Sequence, residues 1–116
     1  MKAPALPFKL AWADPKDLQA NPLNWRQHPD VQTRALEDLI YGEDGVGWAG
    51  CILFNEETGR IIDGHDRLAI ALRRGESRVP VLQGRWTEEQ ERRILATFDG
   101  VGAMAQTDGE KLAELL

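Results

Sequence analysis

The residues best able to do chemistry in this chain lie in one run, Ile61-Ile62-Asp63-Gly64-His65-Asp66-Arg67-Leu68-Ala69. An apolar strand passes through a glycine into a helix that carries an arginine in its first turn. That arrangement can hold an anion. The first amides of a helix point outward with the positive end of the macrodipole behind them, and a glycine lets a ligand approach the backbone closely. The planar guanidinium of Arg67 can grip the same phosphate with two parallel donors. The plainer alternative is a capped strand-to-helix joint with no ligand.

The wider pattern bears on that choice. Leu18-Gln19-Ala20-Asn21-Pro22-Leu23-Asn24-Trp25-Arg26-Gln27-His28-Pro29, then Ile61 to Ala71, then Val79-Pro80-Val81 and Trp86-Thr87-Glu88-Glu89-Gln90 follow one another in order. Together they resemble the successive boxes of the ParB N-terminal domain family. In that family an Asn-Pro…Asn-x-Arg stretch precedes a Gly-x-x-Arg box that opens a helix, and a Val-Pro-Val-like strand follows. The resemblance implies an α+β fold of the ParB/sulfiredoxin type, a small mixed β-sheet with helices packed around it. It also implies a nucleoside triphosphate ligand, CTP or ATP, with Mg2+.

By the same resemblance, Gly64, His65 and Arg67 hold phosphate, Asn24 and Arg26 close the pocket, and Asp99 holds the magnesium ion. The chain departs from each branch of the family at identifiable places. Sulfiredoxins carry a catalytic cysteine directly after the glycine, whereas His65 stands here and Cys51 is the single thiol. Partition proteins usually carry glutamate and arginine where this chain has His65 and Asp66, and Gly100 follows Asp99 where relatives commonly have asparagine. The Asp-Gly-His variant is closer to phage and prophage members found beside DNA methyltransferases. Fold alone leaves the chemistry open, because one architecture hosts many activities.

Three functions compete on these residues. The first is nucleotide binding in DNA partition, replication or phage DNA modification, with any hydrolysis slow and used for switching. The second is phosphoryl transfer or nuclease action in the same pocket, with Asp63, Asp66 or His65 as base. The third is a non-catalytic adaptor for a DNA methyltransferase. His28, just past the first box, and the dispersed Trp12, Trp25, Trp48 and Trp86 are weaker candidates for ligand contact. Two histidines and scattered acids do not make a zinc site.

Composition sets the bounds. A chain of 116 residues forms one domain, and a chain of that size buries roughly two thirds of its unfolded surface. The single cysteine excludes an internal disulfide, and no apolar run reaches the ~20 residues needed to span a bilayer. Residues 1–10 lack the features of a secretion signal, so the expected location is cytoplasmic. A net charge of −5 argues against coating of DNA by this chain alone, so DNA would be reached through a partner or a further domain. The charge is uneven, with six arginines at 60, 67, 73, 74, 78 and 85 against Asp63, Asp66 and Glu76.

The elements that position these residues read as follows. Phe8 to Trp12 forms a strand, and Asp14-Pro15 opens a helical turn. Val31, Ala35, Leu36, Leu39 and Ile40 set the inner face of a helix from Asp30 to Tyr41 that Gly42 ends. Gly45 to Gly50 lacks the lysine and spacing of a P-loop and reads as a flexible connection. Cys51 to Phe54 and Arg60 to Asp63 make a hairpin, and Leu68, Ala71 and Leu72 face inward on the next helix. Val79 to Leu82 then returns as a strand after a right-handed parallel crossover, with Pro80 placing it at an edge or beside a bulge. Thr87 to Gln90 is a capping box for a helix with Ile94, Leu95 and Phe98 on its apolar face. The main domain is expected over 1–107. Residues 108–116 are expected to form a short amphipathic helix whose Leu112, Leu115 and Leu116 make a homodimer contact or lead into a further region.

Overall fold

The computed structural model describes residues 6–23 and 30–106, with the backbone alone over 99–106. Its elements in chain order are β1 (Phe8–Ala13), a 3-10 turn (Pro15–Asp17), α1 (Asp30–Tyr41), β2 (Ile52–Asn55), β3 (Arg60–Asp63), α2 (His65–Arg74), β4 (Val79–Gly84) and α3 (Glu88–Gln106). The class is α+β as expected, with one four-stranded mixed sheet in the order β1-β4-β2-β3. Local chemistry explains most boundaries. Asp14 accepts a hydrogen bond from the Lys16 amide at 2.9 Å, with Pro15 at the start of the turn. Thr87 and Gln90 cap α3 reciprocally, the Gln90 amide donating to Thr87 Oγ1 at 3.1 Å and the Thr87 amide to Gln90 Oε1 at 2.9 Å.

The sheet corrects the expected crossover. β4 does not pair with β3; it inserts between β1 and β2, antiparallel to the first and parallel to the second. Because β2 and β3 are antiparallel, β4 runs antiparallel to β3. Val79 and Val81 are fully buried, which suits a strand flanked on both edges, whereas β3 is bounded by the polar Arg60 and Asp63 and lies at the sheet edge. Pro80 therefore sits in a central strand rather than at an edge. It is tolerated because pairing with β2 starts one residue later, at Val81 opposite Ile52.

One side of the sheet carries the main core cluster, while Ile62 and Leu95 are buried outside it. Ile52, Ile61, Val79 and Val81 pack with Leu18 and with Leu68 and Ala71 of α2, and Ala11 and Ala13 of β1 pack against them. Leu10 and Trp12 alternate with those alanines and are exposed, as period-two geometry requires. The helices bury different faces from those expected. In α1 the inner stripe is Thr33, Leu36, Glu37 and Ile40, whereas Val31 and Leu39 face water. In α2 Ile70 is buried and Leu72 is exposed. The α1 stripe turns because its two polar members find partners on α2: Thr33 Oγ1 donates to Asp66 Oδ2 at 3.4 Å, and Glu37 meets Arg73 and Arg74.

Candidate phosphate site at the start of α2

Gly64 occupies the N-cap of α2 with φ 98° and ψ 29°, a left-handed conformation that L side chains rarely adopt. A Cβ there would come within 3.1 Å of Ile52 Cγ1 and 3.2 Å of Ile52 Cα, so close packing on β2 requires the glycine as well. Having no side chain, Gly64 cannot cap the helix it precedes. The first helical hydrogen bond is Leu68 N–H to the Gly64 carbonyl at 2.9 Å, so His65, Asp66 and Arg67 form the turn whose amides lie ahead of the helical ladder. Such a turn favours negative oxygens.

A second segment reaches this turn from far away in sequence. After the 3-10 turn the chain runs beside the outer edge of β3, the Gln19 amide donating to the Gly59 carbonyl at 3.1 Å and the Ile61 amide to the Gln19 carbonyl at 2.9 Å. Two residues on, the Asn21 amide donates to His65 Nε2 at 3.0 Å. A ring nitrogen that accepts a hydrogen bond is unprotonated, so the neutral His65 ring carries its hydrogen on Nδ1. Asn21 itself is buried, and its Oδ1 accepts from the Leu23 amide at 3.0 Å in a tight Asx turn. Its Nδ2 is buried with no hydrogen-bond partner among the described residues.

Arg67 is half-buried against the glycine-rich loop, where a Cβ on Gly50 would lie 3.0 Å from Arg67 Nη2. The loop is held rather than loose: the Val46 and Gly47 amides donate to the Leu39 and Ile40 carbonyls at 2.7 and 3.2 Å. Tyr41 and Trp48 at its two ends meet edge-on with centroids 6.0 Å apart, and the Arg74 guanidinium covers the Tyr41 ring at 4.4 Å. Tyr41 Oη donates to Glu76 Oε1 at 2.7 Å. Burial and this carboxylate raise the phenol to about 12.

The other arginines of the basic stretch are occupied. Arg60 pairs with Glu91 and Glu88, Arg73 and Arg74 with Glu37, and Arg85 with Glu56 and Glu57. Arg78 lies 4.5 Å over the Trp12 ring. Among the described residues, Arg67 has no carboxylate partner. It is also the arginine that stands in the first turn of α2.

Sequence reasoning passed over Asn21 as a site residue, although the Asn-Pro pair marks the turn that delivers it. It also passed over the buried carboxylate of Glu91. The signal for Glu91 was its place four residues before Leu95, an acid on an otherwise apolar stripe. Asn24, Arg26, His28 and Trp25 lie outside the described residues, as does the helix expected over 108–116. Asp99 belongs to α3, with its side chain outside the description. Among the described residues no three or more His, Cys, Asp or Glu side chains gather as a metal site, and no helix is long and apolar enough to cross a membrane.

No family model and no curated protein matches the chain. Solved structures do. A pNOB8-like ParB-N domain superposes with a TM-score of 0.63 at 21% identity, covering 91% of this chain and 42% of its own. A second structure of the pNOB8-like ParB N-domain gives 0.63 at 17%, with 96% and 41% covered. This chain has the fold of a ParB N-terminal domain. The C-terminally truncated chromosome-partitioning protein ParB from Caulobacter crescentus, complexed with CTP-gamma-S, matches at a TM-score of 0.57 and 19% identity, covering 86% of this chain and 55% of that one. The chain thus spans roughly two fifths to just over half of these ParB structures.

Proposed function

We propose that this chain is a ParB-like domain that binds a nucleoside triphosphate, CTP or ATP, through its phosphates at the start of α2. It would serve a DNA partition, replication or phage modification system. The observation that carries this reading is Arg67, a half-buried guanidinium without a carboxylate partner among the described residues, in the first turn of a helix whose N-cap is a glycine. The start of α2 favours negative oxygens, and Arg67 supplies the compensating charge. Asn24 and Arg26 close over the ligand, and Asp99 is assigned to Mg2+. Magnesium, when bound, spreads and neutralises triphosphate charge.

At −5 overall, the chain is expected to reach DNA through another domain or partner rather than by its own surface. Similarity to a ParB structure complexed with CTP-gamma-S supports the choice of ligand class. Calorimetric titration of CTP and of ATP with Mg2+ into wild type and Arg67→Ala tests the reading. Saturable heat in wild type, weakened at least tenfold in the variant, is the expected result. Equal heats from the two proteins, or none from wild type, overturn it.

A further inference from the structure

The face of the sheet opposite the main core cluster is covered only in part. Ile62 and Leu95 are buried there, and α3 packs beside β3. Over β2 and the start of β1 the same face stays open as a groove of about 540 Å³, lined by Phe8 and Leu53 of the sheet, by Trp86 after β4, and by Arg93, Ile94 and Phe98 of α3. Leu53 belongs to this face because its neighbour Ile52 points into the cluster, as strand alternation requires. Leu10, two residues on from Phe8 along β1, extends the apolar strip and is 70% exposed, and Phe98 is 40% exposed. Single exposed apolar side chains are ordinary on a protein surface, but a contiguous strip contributed by three elements marks a place where something packs.

The groove holds one cation. Arg93 has no carboxylate partner among the described residues, and no acid lines the groove with it. The chain itself supplies a complement. Residues 107–116 follow α3 directly and lie outside the described residues; they carry Leu112, Leu115 and Leu116, with Asp108, Glu110 and Glu114 against Lys111. An apolar and acidic segment suits a hydrocarbon groove that contains an arginine. Its reach is sufficient: Phe98 to Gln106 takes up about 12 Å of helix axis, and ten extended residues span up to about 33 Å. Tethered to the end of α3, the segment also meets the groove at an effective concentration above that of a second copy in dilute solution.

We propose that residues 107–116 fold back along α3 and dock their leucines in this groove, with the acidic side chains of the segment meeting Arg93. The docked segment completes the cover of the second face of the sheet. It lies on the side away from α2, so the inference stands apart from the phosphate site.

Methyl-detected nuclear magnetic resonance of the full chain tests it. Nuclear Overhauser contacts are expected from the methyl groups of Leu112, Leu115 or Leu116 to Ile94 and to the Phe98 ring, independent of protein concentration. The Leu112 to Leu116 amides should exchange about tenfold more slowly than in an unstructured chain. Arg93→Glu, at an exposed position, should remove most of that protection, and Glu110→Arg with Glu114→Arg in the same chain should restore it. Absence of the contacts in wild type overturns the proposal. Contacts found only between isotope-labelled and unlabelled copies in a mixed sample also overturn it, since the occupant is then a second copy's segment. If the contacts form within one chain and Arg93→Glu leaves the protection unchanged, the role given to Arg93 is overturned.

Discussion

Arg60 Nη2 on β3 stands 2.9 Å from Glu91 Oε2 on α3, with side-chain exposures of 21% and 1%. The other carboxylate oxygen of Glu91 accepts from Thr58 Oγ1 at 2.6 Å and from Asn55 Nδ2 at 3.0 Å. Asn55 in turn receives the Trp86 amide on Oδ1 at 2.9 Å and donates from Nδ2 to the Trp86 carbonyl at 3.0 Å. One buried acid thus ties the β2–β3 hairpin, the segment after β4 and α3 to one another. The hairpin is also the strand pair that delivers Gly64.

Removing that acid takes the acceptor from the Thr58 hydroxyl and one of the two acceptors from each of Arg60 and Asn55 Nδ2. Breaking a buried ion pair from one side typically costs about 3–5 kcal/mol, a large share of the stability of a small domain. Glu91→Ala is therefore expected to lower the urea midpoint sharply, and Glu91→Gln, which keeps an acceptor oxygen, to do less. A loss within ~0.5 kcal/mol, as at an ordinary surface site, would show that the network does not hold α3.

The glycines at the two ends of α2 separate backbone strain from packing. Gly75 has φ 69° with open space where a Cβ would go, whereas Gly64 has φ 98° with Ile52 at 3.1 Å. Gly75→Ala should cost only the left-handed penalty of about 1–2 kcal/mol. Gly64→Ala should lose that and roughly 1–3 kcal/mol more for overpacking against β2. Chemical denaturation of the two variants side by side measures the difference; equal losses would mean that β2 yields to the extra methyl group.

These contrasts show which parts of the molecule were legible in the sequence. Gly42, Gly75, the Thr87–Gln90 capping box and the hairpin around Gly59 act within a few residues of themselves, so their chemistry could be read in place. The inner face of α1 could not, because Thr33 and Glu37 are satisfied by Asp66, Arg73 and Arg74, more than thirty residues on. Counting apolar residues favoured Val31 and Leu39 instead. The place of β4 between β1 and β2 likewise depends on strands that are distant in sequence. At the candidate site, the Gly64 to Arg67 run was visible as a motif. Its surroundings were not: Asn21 meets His65 across 44 positions, and Gly50 belongs to a loop with no charged signature.

Tyr41 is the single tyrosine of the chain, so its ionisation can be followed without ambiguity by tyrosinate absorbance. Burial first, and the hydrogen bond to Glu76 second, raise it from 10.0 to about 12. A phenol whose folded value is raised contributes stability below its unfolded value and loses that contribution as pH climbs through the folded one. The closure of the loop on α1 and α2 should therefore weaken between those two values. Glu76→Gln should bring the absorbance midpoint part of the way back towards 10.0. A wild-type midpoint already at the ordinary phenol value would refute the Tyr41–Glu76 contact.

Glu37 reports the opposite sign. Arg73 is the main influence, donating from Nη2 to Oε1, with Arg74 Nε donating to Oε2 at 2.8 Å, and together they outweigh desolvation and lower the carboxyl below 4.5. An acid whose folded value is depressed stabilises the fold above its unfolded value, and the benefit disappears as pH falls through the folded one. The pairs are on the surface, so the effect should be small and reduced by salt. Carbon-detected titration of the Glu37 carboxyl should give a midpoint below those of unpaired glutamates, raised more by Arg73→Ala than by Arg74→Ala. If neither variant moves it, α1 and α2 are joined by Thr33, Asp66 and apolar packing, and the two arginines are merely solvated neighbours.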